Sequence, residues 1–232
     1  MDQLPLGLRL ADRAIFDTFW PTGNEQLVAH LKSVARGTGA GVTWLAGPRA
    51  SGKSHLLQAS CALAPATRRC GYFPLAQLAA LGPAALEGLP RLDLVCLDDL
   101  DRAAGDAQWE RALFGLYREL EEGGGSLIAA APEVPALMSW GLPDLASRFT
   151  AAAVYVLRPL EEAAQREALM LRAKMRGFEL PEDVARWLQR RYPRDMATLY
   201  QLLDTLDSAA LVAQRRLTLP FIRSVLLGRP QS

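Results

Sequence analysis

Gly47-Pro48-Arg49-Ala50-Ser51-Gly52-Lys53-Ser54 fits the pattern G-x-x-x-x-G-K-[ST]. It lies between an apolar run, Val42-Thr43-Trp44-Leu45-Ala46, and helical spacing at Leu56, Leu57 and Cys61. Glycines at these places let backbone N–H groups close around phosphate oxygens. The lysine neutralises the terminal phosphates, and the hydroxyl after it is placed to coordinate Mg²⁺. The helix that starts at the loop adds the positive end of its dipole. A glycine-rich turn can match the pattern by chance, but here the strand before and the helix after supply the context a phosphate cradle needs. The stretch predicts that Gly47, Pro48, Arg49, Ala50, Ser51, Gly52, Lys53, Ser54 and the adjacent His55 line a nucleotide site.

Further apolar strand patterns appear at 70–74, 93–97, 126–131 and 153–157, and a helical stretch at 107–122 ends in Gly123-Gly124-Gly125. Upstream, Leu27, Val28, Leu31 and Val34 have helical spacing that stops at the Gly37–Gly41 region. Strands alternating with helical crossovers predict an α/β fold with a parallel five-stranded sheet. After Pro159 only helical patterns follow, from Glu161 to Leu227. The expected organisation is a tail at 1–14, an α/β nucleotide-binding domain at 15–158 and a small all-helical domain at 159–232.

The 232 residues carry 26 basic and 25 acidic side chains, a net charge of +1, which gives no general nucleic-acid footprint. Half the residues are hydrophobic, ample for a core. Cys61, Cys70 and Cys96 sit in apolar runs without metal-ligand spacing and read as buried free thiols. No signal-peptide pattern opens the chain, and no apolar run approaches the roughly 20 residues that span a bilayer. These features predict a cytoplasmic protein with no membrane partner.

Asp98-Asp99 follows the apolar run Leu94 to Leu97. A carboxylate at the carboxyl end of a parallel strand faces the ligand crevice. There Asp98 would orient a Mg²⁺-bound water and Asp99 would polarise an attacking water, with Ser54 completing the metal site. A solvated acidic turn is the plainer alternative, since Asp101 and Arg102 are close by. Arg148 and Arg194 stand out by position: one precedes the last strand, the other follows Pro193 and opens a long helix. A guanidinium suits a γ-phosphate contact, although position alone also describes a surface arginine. His30 and His55 lack a paired nucleophile and read as packing residues. The five tryptophans are scattered and read as core packing or partner contacts, and Arg186, Arg190, Arg191 and Arg194 form a basic lid face.

A phosphate loop, a strand-terminal Asp-Asp, an arginine before the last strand and then a helical segment with its own arginine: this order resembles the AAA+ ATPases. Phe16-Asp-Thr-Phe19 with Gly23-Asn24-Glu25 is similar to the segment that lines the base pocket in DnaA, the bacterial replication initiator. Leu142-Pro-Asp-Leu-Ala-Ser-Arg148-Phe149 resembles the arginine-finger motif of that branch. Gly177-Phe-Glu-Leu-Pro-Glu-Asp183 and Pro193-Arg-Asp-Met-Ala-Thr-Leu199 resemble its lid and sensor arginine, and Ala213 to Ile222 fits the same pattern. No helix-turn-helix pattern follows the lid. At the other end, Gln3-Leu4-Pro5-Leu6-Gly7-Leu8 is similar to the hexapeptide with which replication proteins dock on the β sliding clamp. Together these features resemble the Hda family of DnaA regulators over nearly the whole chain.

The resemblance implies an AAA+ module that holds ADP or ATP with Mg²⁺, with Phe19 at the base and Arg194 as sensor. Gln3, Leu4, Leu6 and Leu8 would bind the β clamp of DNA polymerase III. Arg148 would act in trans on ATP-bound DnaA, stimulating its hydrolysis and preventing re-initiation. DNA would be reached only through the clamp, at the replisome, and self-association is open. Two departures matter. Ala129-Ala130-Ala131 replaces the polar residue that commonly ends the sensor strand, which weakens the case for intrinsic hydrolysis, and Gly7 replaces a proline often found in the clamp peptide. A helicase loader or restart-type ATPase, or a nucleotide-bound scaffold, are the alternatives.

Overall fold

Strands β1 (Gly41–Ala46), β2 (Cys70–Pro74), β3 (Leu94–Asp98), β4 (Ser126–Ala131) and β5 (Ala153–Val156) form the sheet of this computed structural model, which describes residues 14–193, 196–213 and 218–227. All pairings are parallel, in the order β2-β3-β4-β1-β5. The three central strands are apolar almost throughout because helices cover both faces. Alternate residues point to opposite sides. Trp44, Val95, Leu97, Leu127 and Ala129 pack with Leu113, Leu116 and Leu120 of α4 (Ala107–Glu122) and with Leu145 and Phe149 of α5 (Pro143–Thr150). On the other face, Leu45, Leu94, Cys96 and Ile128 meet Leu27, Leu31 and Val34 of α1 (Glu25–Arg36) and Leu56 and Leu57 of α2 (Lys53–Leu63). A single turn, α3 (Leu75–Leu78), follows β2.

Local sequence accounts for the helix ends. Gly37 takes the left-handed conformation (φ 82°) that closes α1. The Asp106 carboxylate accepts hydrogen bonds from the N–H groups of Gln108 and Trp109 and so caps α4. The expected strand at 93–97 runs one residue later, so that Asp98 is the last residue of β3 rather than the first of the turn.

The chain divides into two compact units, Met1–Arg158 and Pro159–Ser232. The second is helical in its described residues: α6 (Glu162–Met175), α7 (Glu182–Arg191), α8 (Met196–Ala213) and α9 (Leu219–Leu227). Leu169, Leu180, Leu188, Leu203, Phe221 and Ile222 form its core. Arg176 pairs with Asp204 and Asp207, and the Arg172 guanidinium lies 4.1 Å from the centre of the Tyr200 ring, so α6 and α8 are joined by charge as well as by packing.

Cys96 is buried, but Cys61 and Cys70 are partly exposed, a correction to the expectation of three buried thiols. The cause is local: Cys61 lies near the end of α2, and Cys70 opens the edge strand β2, which has a neighbour on one side only. The hydrogen bond to Cys61 and burial together push the Cys70 thiol well above the usual range.

Phe149 is fully buried, with its ring centroid 5.2 Å from Trp44 and 5.4 Å from Trp140. Phe149→Ala should therefore lower stability by about 3–5 kcal/mol, read as a fall in the urea midpoint of the first unit; an unchanged midpoint contradicts the packing described.

Candidate nucleotide-binding site

The carboxyl ends of β1 and β3 place the loop at 47–52 and Asp98 at the same edge of the sheet, with β4 between them. Gly47 packs so tightly that a Cβ there would stand 2.9 Å from the Ser51 hydroxyl and 3.2 Å from Leu157. Gly52 adopts φ 101°, and a Cβ would meet the Phe19 ring at 2.7 Å. Both positions demand glycine. Ala50 adopts positive φ (61°) without that freedom, a strained position at the crown of the loop.

The Lys53 ammonium donates to the carbonyl oxygens of Gly47 (2.6 Å) and Pro48 (2.8 Å). Burial lowers its pKa, and the carboxylates of Asp98, Asp99 and Asp101 act in the opposite direction. The Ser51 hydroxyl is buried without a hydrogen-bond partner, an orphaned polar atom within the cradle. Ser54 lies exposed in the first turn of α2, and Pro48 and Arg49 are exposed on the loop. A chain of backbone N–H groups, one ammonium and one unsatisfied hydroxyl fit a polyphosphate in charge and in hydrogen-bonding sense.

Asp98 is 2% exposed. One carboxylate oxygen accepts from the Tyr72 hydroxyl at 2.8 Å and the other from the Asp99 N–H at 3.0 Å. Tyr72 also neighbours Ser54 and Gln58, so its phenol links the two residues assigned to the metal. Burial and the charge of Asp98 push its pKa up, which keeps it a hydrogen-bond donor. Sequence reasoning passed over Tyr72, because only the β2–β3 register, Tyr72 opposite Cys96, brings it to this edge. Asp99 turns away through a left-handed backbone (φ 57°), and burial together with the charges of Asp98 and Asp101 raises its pKa.

The N-terminal segment is fastened to the loop from above. Phe19 lies against Gly52, and its ring centroid is 5.7 Å from that of His55. The His55 imidazole meets the Ile15 carbonyl at 2.9 Å and the Thr18 hydroxyl at 3.3 Å, so it faces this segment. Asn24 is buried and bridges both backbone groups of Arg158. At the end of β4, Ala129, Ala130 and Ala131 are fully buried and carry no polar side chain, while the next carbonyl, of Pro132, accepts from the Gly47 N–H at 3.1 Å.

Arg148 is half exposed on α5, and its partners are on α4: Glu121 at 3.8 Å and the Tyr117 ring, whose centre is 5.5 Å from the guanidinium carbon. Arg194, Gln3, Leu4, Leu6 and Leu8 lie outside the described residues. Among the described residues no cluster of His, Cys, Asp and Glu is arranged to hold a metal by itself. Ser54 and Asp98 could bind Mg²⁺ only with a nucleotide phosphate supplying further oxygens, the usual preference of that ion.

The fold is similar to domain III of the replication initiation protein DnaA from Thermotoga maritima, with a TM-score of 0.78 at 20% identity over 94% of this chain and 97% of that one. It is also similar to AMPPCP-bound DnaA from Aquifex aeolicus (TM-score 0.70, 18% identity, 87% of this chain and 67% of that one). The Thermotoga maritima RuvB Holliday junction branch migration motor gives 0.67 at 13% identity, over 95% of this chain and 73% of that one. Such identities speak to fold, and the fold is that of an AAA+ P-loop module with a helical lid. Residues 162–226 match the family described as "Hda, lid domain". The helical unit is thus similar to the Hda lid, and the α/β unit shares the fold of DnaA domain III.

The pH response of Asp99 follows from its raised pKa. Above that pKa its ionised carboxylate disfavours the folded state, and the penalty fades as pH falls and the native protein takes up the proton before the unfolded chain does. Asparagine also tolerates the left-handed backbone well. Asp99→Asn should raise the melting temperature of the nucleotide-free protein at pH 7, and the gain should shrink toward pH 4; a gain that is constant with pH contradicts this.

Proposed function

We propose that this chain regulates replication initiation by completing the ATPase site of a DnaA molecule. In this reading the cradle at Gly47–Ser54 holds ADP or ATP with Mg²⁺ and fixes the active shape of the protein. Gln3, Leu4, Leu6 and Leu8 tether it to the DNA-loaded β sliding clamp. Arg148 enters the site of ATP-bound DnaA and stabilises charge that develops on the transferring phosphoryl oxygens, as an arginine finger does. DnaA is left with ADP, and re-initiation is prevented.

The carrying observation is the union of an Hda-type lid with a DnaA-like P-loop unit that presents Arg148 half exposed on α5. A guanidinium turned outward, on a helix whose opposite face is locked into the core, suits a site on another molecule. The buried alanines at 129–131 support the same division of labour, because the strand end next to the cradle has no polar side chain to position a water. Near-neutral net charge fits a protein that meets DNA through the clamp. No described helix is long and apolar enough to cross a membrane, which is compatible with work at the bacterial replisome.

Hydrolysis of DnaA-bound ATP, measured with DNA-loaded clamp and with ADP on this protein, tests the reading. Arg148→Ala should cut the stimulation roughly 10³-fold, to the unstimulated rate, while clamp binding persists. Arg148→Lys should restore little of it, since an ammonium lacks the planar fork. Equal stimulation by Arg148→Ala removes the finger assignment. In a pull-down on purified clamp, Gln3→Ala combined with Leu4→Ala should lose binding; undiminished capture sinks the tether.

A further inference from the structure

Glu110 lies in the first turn of α4, and its side chain is almost wholly buried at 1% exposure. A carboxylate leaves water at a heavy cost unless hydrogen bonds replace the hydration. Here three backbone N–H groups do so. One oxygen accepts from Gly105 at 2.7 Å and Gly141 at 2.9 Å, and the other accepts from Leu142 at 2.6 Å. The Gly105 contact is local and steadies the start of α4. The other two reach 31 and 32 residues along the chain.

Leu142 is the N-cap residue just before α5, and it has no side chain with which to cap that helix. Glu110 supplies the acceptor from a different helix. Charge-assisted hydrogen bonds of this kind are short and about twice as strong as neutral ones, so the start of α5 is fixed to α4. Further along α5, Leu145 and Phe149 enter the core and leave Arg148 outside. At its far end α4 meets Arg148 itself, through Glu121 and the Tyr117 ring. The Tyr117 hydroxyl donates to the other Glu121 oxygen at 3.1 Å and holds that carboxylate in place.

We infer that Glu110 is a positioning residue for Arg148: by fastening the start of α5 to α4 it sets where the guanidinium is presented to the partner's nucleotide. The inference rests on the reading of Arg148 as a finger that works in trans. Such a group acts only in the transition state, so displacing it lowers the maximal stimulated rate and leaves the half-saturating concentration unchanged. A role in stability alone has a different signature. Fewer folded molecules stretch the concentration axis and leave the plateau intact.

Glu110→Gln is the discriminating variant. It keeps one acceptor oxygen for Gly105 and Gly141 and turns an NH₂ toward the Leu142 N–H, donor against donor. Titrating the full chain into DnaA-ATP with DNA-loaded clamp should show a plateau about tenfold lower, with the midpoint unchanged, since small misplacements near a reacting centre cost up to about 10²-fold. Glu110→Gln added to Arg148→Ala should lower the rate no further. A wild-type plateau reached at higher concentration, or an unchanged curve, overturns the inference. Should Glu110→Gln fail to fold by circular dichroism, Glu110→Asp, whose shorter carboxylate cannot reach Gly141 and Leu142 together, decides: a lowered plateau with an unchanged midpoint supports the inference, and an unchanged curve overturns it. A full plateau with Arg148→Ala alone points instead to failure of the finger reading.

Discussion

The parallel register of β3, β4 and β1 is the constraint on which the nucleotide site depends. Ser126 pairs with both Gly41 and Leu94, so the three strands start level and their carboxyl ends arrive together. That alignment brings Lys53, at the end of the β1 loop, within the electrostatic reach of Asp98 across an intervening strand. A slip of one residue in either pairing would turn every buried side chain of a strand to the opposite face. It would also move Asp98 away from the cradle. The apolar load on both faces of the sheet, with Trp44 and Leu97 on one side and Leu45 and Cys96 on the other, makes such a slip costly. Function at the edge is thus held by packing in the middle.

The alanines of β4 belong to the same constraint. Small side chains at 129–131 let neighbouring elements close tightly, and the chain then offers a backbone carbonyl, that of Pro132, to the Gly47 N–H. The end of the strand grips the loop instead of positioning a water. Phe19 against Gly52 and His55 against Ile15 close the loop from the N-terminal side. These contacts close the loop on both sides, and the same unit carries Arg148 half exposed on α5, paired with Glu121.

Much of this was legible in the sequence because the signals are local. The phosphate loop is a contiguous pattern, the helix at 107–122 runs into terminal glycines, and Asp98 follows an apolar run. Arg148 stood out only by its place before the last strand and by its resemblance to a known motif. Tyr72 and Glu110 were invisible because their partners are brought to them by tertiary structure. A tyrosine on a strand and a glutamate in a helical first half look like packing and solvation until the register and the α4–α5 contact are known. The partial exposure of Cys61 and Cys70 was missed for a related reason, since apolar neighbours in sequence say nothing of an edge strand or a helix end.

The central claim is that nucleotide is held in this chain while hydrolysis proceeds in a partner. A single-turnover experiment with differently labelled ATP, one label preloaded on this protein and the other on DnaA, in the presence of DNA-loaded clamp, tests it most directly. The account predicts that phosphate is released from the label on DnaA while the nucleotide on this chain stays bound and unchanged. Prompt phosphate release from the label on this chain, with that on DnaA intact, would contradict it.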